Sequence, residues 1–168
     1  IELGARSETE PVEIPFIQPY LAAAFPDLLR DSAFSIKTVT AERTFWEKAM
    51  LLHEETFRPA EKPRRARLSR HYYYLWCLIK KGIAAKAVAD LKLFDRVARH
   101  RESFFKVGWV NYDSLRKGTL NLLPAPEQMN DWRRDYEAMR EGMFFEEPPS
   151  FDEVLTVIRQ FEEAFNRA

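Results

Sequence analysis

The residues able to do chemistry fall in three neighbouring stretches. In "SRHYYYLWCLI", residues 69–79, Arg70 and Tyr74 stand four apart and share one face of a helix. A guanidinium laid over a phenol ring is the plain reading of that pair, and by itself it carries no catalysis. In "FWEKAMLL", Lys48 sits at the border of an apolar arc, one turn from both Phe45 and Leu52. From such a position a lysine either snorkels to water or holds its ammonium over a neighbouring pocket, where it can grip phosphate. Between them, "RPAEKPRRARLSRH" at 58–71 sets Arg58, Lys62, Arg64, Arg65, Arg67 and Arg70 against Glu61. Pro59 and Pro63 keep its first half out of a helix. It reads either as a basic loop for a nucleic-acid backbone or as a solvated linker balancing an acidic C-terminal half.

Other chemistries find no support. His53-Glu54-Glu55 lacks the second histidine of H-E-x-x-H, and His71 and His100 have no partner ligand at helical spacing. Zinc is therefore not expected. There is no phosphate-cradling glycine loop, no nucleophile elbow and no Cys/His pair. The single cysteine, Cys77, excludes an internal disulfide and suits a reducing cytoplasm. With 46% apolar and 31% charged residues the chain has the composition of a soluble globular protein. Its formal net charge is zero, so any pull on nucleic acid must come from local clustering. The longest unbroken apolar run, Tyr72 to Ile79, is far too short to span a bilayer, and no signal-peptide pattern opens the chain.

These candidates need elements to hold them. Few glycines and long 3.6-residue periodicity point to a mainly helical protein. Residues 1–40 differ: "IELGARS", "PVEIPFI" and "FSIKTVT" read as short strands, with "QPYLAAAFPDLL" as a short helix or a loop carrying one. From residue 41 the expected helices are 41–57, one from Ser69 as N-cap to Gly82, 84–100, a weaker one at 112–118, one from Pro126 to near Gly142, and a last one. That last helix opens on an S-x-x-E capping box, Ser150 and Glu153.

The order of phrases adds a further clue. "IELGARS", "IQPYLAAAFP", "ERTFWEKAMLLHEE", "SRHYYYLWCLI", "HRESFF", "DYEAMREGMFF" and "PSFDEVLTVIRQFEEAFN" follow one another at sensible spacing. The chain thereby resembles the C-terminal two-thirds of the nucleotidyl transferase AbiEii/AbiGii toxin family. "TFWEK" and "SRHYY" are the most specific blocks. The resemblance implies a remnant of a nucleotidyltransferase-like α/β domain over 1–40, with a helical bundle over 41–168. It implies the toxin of a cytoplasmic toxin–antitoxin or phage-defence system, binding a nucleoside triphosphate with Mg²⁺ and transferring a nucleotide to RNA, tRNA in some members. A cognate antitoxin protein is the implied partner.

Position by position, the carry-over is partial. Lys48 matches the family's phosphate-gripping lysine, and Arg70 the arginine that opens its last motif. Glu2 in "IEL" matches a late-strand acid that can serve catalysis or the metal. Arg64, Arg65 and Arg67 lie in the stretch expected to face RNA. No Asp-x-Asp pair occurs in the 168 residues, and position 74, where the motif has a catalytic Asp, is Tyr74. A phenol with a pKa near ~10 stays neutral at pH 7 and does not replace a carboxylate as base or metal ligand. The opening Ile1-Glu2-Leu3 reads as mid-strand, so a catalytic half upstream is expected, and this stretch alone is not expected to turn over. The alternative is a non-catalytic helical module binding RNA or antitoxin, or a scaffold without activity.

Overall fold

The structure, a computed structural model, describes residues 8–30, 32–144 and 147–167, and for Glu141 the backbone only. It is mainly α-helical with a small N-terminal β part. Two compact units divide it, residues 1–40 and 41–168.

In the first unit, β1 (Val12–Glu13) pairs antiparallel with β4 (Thr38–Val39), and β2 (Phe16–Ile17) with β3 (Phe34–Ser35). Val12 faces Val39 and Ile17 faces Phe34, so one register runs through both pairs. The four strands are two arms of a single hairpin, with helix α1 (Tyr20–Ala24) between the arms. The interruption falls at Pro15, which has no N–H to give, although its carbonyl still accepts from the Ile36 N–H at 3.2 Å. "PVEIPFI" and "FSIKTVT" therefore do form strands, while "IELGARS" and Glu2 lie outside the described residues. The hairpin leaves Ile14, Phe16, Ile17, Phe34 and Ile36 exposed.

The second unit is built on α2 (Ala41–Thr56), α3 (Arg70–Lys80), α4 (Ile83–Ala89), α5 (Leu91–Phe104), α6 (Met129–Glu137), α7 (Arg140–Met143) and α8 (Phe151–Arg167). α2 packs on α3, α4 and α5, and α3 also on α8. At the centre Trp46 meets Phe94 edge-on at 4.8 Å and Phe165 at 5.2 Å, and its indole N–H donates to the Ala87 carbonyl. A second aromatic group joins Tyr72, Trp132, Phe151 and Tyr136. Both buried phenols spend their hydroxyls on backbone, Tyr72 donating to Leu122 and Tyr136 to Pro149, which removes the cost of burying an O–H.

Several boundaries differ from expectation. The helix expected over 84–100 is two, because the Asp90 carboxylate accepts from the Leu93 N–H and starts α5 afresh. Over 112–118 there is only a 3-10 turn at Tyr112–Ser114, and Pro126 opens another at Pro126–Gln128 before α6. Ser69 precedes α3 but does not cap it; its hydroxyl donates to Asp135 of α6 at 2.5 Å instead. The capping box of α8 is present, with Ser150 N–H on Glu153 at 2.7 Å and Glu153 N–H on Ser150 Oγ at 3.3 Å. Among the described residues no helix is long and apolar enough to cross a membrane.

Candidate functional site

The packing of α2 against α3 and α5 brings four nitrogen-bearing side chains together. Lys48 comes from α2, Arg70 and His71 from the first turn of α3, and Arg101 from α5. Lys48 is half-buried and forms no salt bridge with a described residue. Burial holds its ammonium below the ordinary lysine range; Glu47 works the other way, and Arg101 and Arg70 add to the depression. Arg70 turns back to donate from Nη1 to the Arg67 carbonyl at 3.1 Å. The stacking of Arg70 on Tyr74 expected as the plain alternative is not the arrangement: the Tyr74 ring meets His71 edge-on, 6.3 Å between centroids.

His71 lies deeper. It is 6% exposed, and its Nδ1 is buried without a hydrogen-bond partner. Burial first, then the charges of Lys48, Arg70 and Arg101, push its pKa down to about 3, so the ring is neutral. Arg101 is held by Glu54 in a buried two-pronged pair, 2.6 Å on each side. Subtracting that pair leaves Lys48 and Arg70 as the unneutralised charge, beside a neutral imidazole. Such a cluster attracts an anion with several oxygens, for which ammonium and guanidinium are the strong donors.

The run of three tyrosines resolves into three environments. Tyr72 is core, Tyr73 is half-buried against Phe144, and Tyr74 is exposed beside His71. Position 74 is thus on the side of α3 that carries Arg70 and His71. Glu54 and Glu47 of α2 are both engaged, Glu54 with Arg101 and Glu47 with Arg43 at 3.0 Å.

The basic loop is more built than a solvated linker. Arg58 forms a two-pronged pair with Glu55 at 2.6 and 2.7 Å. Lys62 sits 4.3 Å above the Trp109 ring, and Arg64 4.1 Å above Trp132 with Glu55 at 3.4 Å. Asp135 accepts from the backbone N–H of Arg67 at 2.6 Å and of Ser69 at 2.8 Å, locking the loop to α6. The Arg65 and Arg67 side chains are exposed, whereas Arg64 is mostly covered. A cleft of about 630 Å³ opens between this loop and α6.

Sequence reasoning singled out Lys48 and Arg70, which the fold brings together. It passed over His71 as a functional group, and over Arg101. Arg101 had a readable signal: with Phe94 and Val97 it lies on the buried stripe of α5, where a charge implies a buried partner. Glu2 lies outside the described residues.

The Mg²⁺ implied by the resemblance requires oxygen donors. Among the described residues no three His, Cys, Asp or Glu side chains converge. Around Lys48 stand cations, a neutral imidazole and a phenol, and the neighbouring carboxylates are committed to Arg43 and Arg101. The described donors do not fit a divalent cation.

A family model described as "Nucleotidyl transferase AbiEii toxin, Type IV TA system" matches residues 1–157. No curated protein and no solved structure gave a significant match.

Proposed function

Because the chain belongs to the nucleotidyl transferase AbiEii toxin family, we propose that it supplies the polyphosphate grip and the RNA-facing loop of a nucleotidyltransferase toxin. The observation that carries this is the convergence of Lys48 and Arg70, from different helices, with no carboxylate of a described residue bonded to either. In nucleotidyl transfer an acceptor hydroxyl attacks the α-phosphorus, the bond to the β-phosphate oxygen breaks, and pyrophosphate leaves. Lys48 and Arg70 hold the β- and γ-phosphates and offset the charge that builds on the leaving pyrophosphate. The carboxylates and the divalent metal of the family's chemistry are supplied from residues outside the described set. Glu2 is the candidate within this sequence.

The acceptor is RNA, tRNA being the first to try. Arg65 and Arg67 reach its backbone, and Arg64 anchors the loop through Trp132 and Glu55. A cognate antitoxin protein is the partner expected of a type IV system. Calorimetric titration with a nucleoside triphosphate tests the grip. Binding weakened about 10- to 100-fold by Lys48→Ala or Arg70→Ala, as for loss of a charge-assisted hydrogen bond, supports the proposal. Unchanged affinity in both variants removes it.

One observation favours a second reading, a non-catalytic module that binds RNA or antitoxin. Tyr74 stands exposed beside Arg70 and His71, where the family motif has its Asp. In a chain that also carries an Asp-x-Asp region, Tyr74→Asp raises nucleotide transfer if the first reading holds. It leaves transfer at background if the module is a binder only.

A further inference from the structure

Lys48 and Arg70 explain the charge of the site but not the imidazole beneath it. The second buried histidine of the same unit shows what a core histidine looks like here. His53 accepts from the Asn121 N–H on Nδ1 at 2.9 Å and bonds Ser114 Oγ through Nε2 at 2.8 Å, so both ring nitrogens are satisfied. His71, almost as deeply buried, leaves Nδ1 without a partner. Buried polar atoms are rarely left so, and an exception calls for a reason.

The surroundings supply one. From α2 the imidazole is faced by Lys48, with Glu47 beside that lysine; from α3 by Arg70 and the Tyr74 ring; from α5 by Arg101, whose charge is met by Glu54. Burial first, and then these cations, keep the ring neutral, with a pKa of about 3. A bound polyanion reverses the sign of the field at the ring and offers oxygens to an N–H donor.

We propose that His71 is a third phosphate-binding residue of this site, taking a proton from solvent as a polyphosphate docks and donating Nδ1–H to a phosphate oxygen. This rests on the reading that Lys48 and Arg70 hold a polyphosphate. The consequence is affinity that climbs as pH falls, over and above the ligand's own titration.

The test uses inorganic tripolyphosphate and calorimetry in two buffers of different ionisation enthalpy, which counts protons taken up on binding. Wild type is expected to take up close to one proton more than His71→Gln at pH 7, and so to gain up to about 100-fold in affinity relative to that variant between pH 8 and pH 6. As a check that does not require the variant to fold, imidazole ¹⁵N shifts of wild type are followed during the titration. The His71 nitrogens are expected to move to imidazolium values while those of His53 stay put. Equal proton counts and a ring that remains neutral, with Lys48→Ala still weakening binding, overturn the role of His71 and leave the phosphate grip standing. Binding that is absent, or indifferent to Lys48→Ala, overturns both.

Discussion

At the scale of single residues, the site turns on which charges are already answered. Lys48 lies near two arginines, and its ammonium gains nothing from a salt bridge within the described fold. Replacing it with Met, which keeps the stem packed on α2, should therefore leave thermal stability unchanged or slightly raised while triphosphate binding falls. A stability loss above about 2 kcal/mol would place Lys48 among ordinary structural residues. Arg101 is the opposite case, because its charge is buried and, among the described residues, is answered by Glu54 alone. Glu54→Gln should cost about 3–5 kcal/mol by leaving an unmatched guanidinium in the core. The double change Glu54→Leu with Arg101→Met should recover most of that, as hydrophobic replacement of buried pairs commonly does. Chemical denaturation of the two variants separates the outcomes; equal losses would mean that packing, not charge, is what the pair contributes. Tyr74, partly exposed and bonded to no charge, should accept Asp with a change within about 0.5 kcal/mol, typical of surface positions.

At the scale of elements, the end of the basic loop that leads into α3 is tied to α6 by one carboxylate. Asp135 takes three hydrogen bonds, from the Arg67 N–H, the Ser69 N–H and the Ser69 hydroxyl, and so fixes where α3 begins and where Arg70 and His71 point. Asp135→Ala should cost about 1–3 kcal/mol through the unmade bonds and speed tryptic cleavage at Arg64, Arg65 and Arg67. Cleavage no faster than in wild type would show that the cation–π contacts with Trp109 and Trp132 suffice to hold the loop. Arg67 adds a second handle, since it adopts a left-handed backbone at φ +64°. Glycine adopts that conformation without penalty, so Arg67→Gly should preserve or raise the melting temperature while lowering RNA affinity and reducing the salt slope by about one. An unaltered slope would mean that the Arg67 side chain touches no phosphate. Little of this locking was legible in the sequence. The helices from Ala41 and Arg70 and the capping box of α8 could be read because periodicity and local caps are local physics. Ser69 was misread as a cap because its partner, Asp135, is remote in sequence. His71 was passed over for the same reason, since its meaning depends on Lys48 and Arg101 arriving from other helices.

At the scale of the whole molecule, the two buried imidazoles make the fold sensitive to acid. His53 joins α2 to the 114–121 segment as a neutral ring. Its Nδ1 must stay bare to accept the Asn121 N–H, and burial lowers its pKa to about 4. His71 is lowered to about 3. Both titrate near ~6.5 when unfolded. A histidine depressed in the folded state contributes stability that is fully present above the unfolded pKa and is lost as pH falls toward the folded one. Stability should therefore hold from pH 8 to 7 and decline from about pH 6.5 to pH 4, each histidine withdrawing on the order of 3 kcal/mol by the lower end. Glu162, raised by burial, works the other way over the acid part of this window and blunts the fall. Unfolding followed by circular dichroism at half-unit steps checks the slope, and His53→Gln should remove about half of it. A flat profile from pH 7 to pH 5 in wild type would mean that neither ring is held neutral by the fold. If tripolyphosphate binds as proposed, it should restore stability most strongly at the acid end, because a protonated His71 is then matched by the ligand rather than opposed by Lys48, Arg70 and Arg101. The acid sensitivity that the fold carries in isolation thus becomes, in the liganded protein, a measure of how completely the anion reverses the field at that ring.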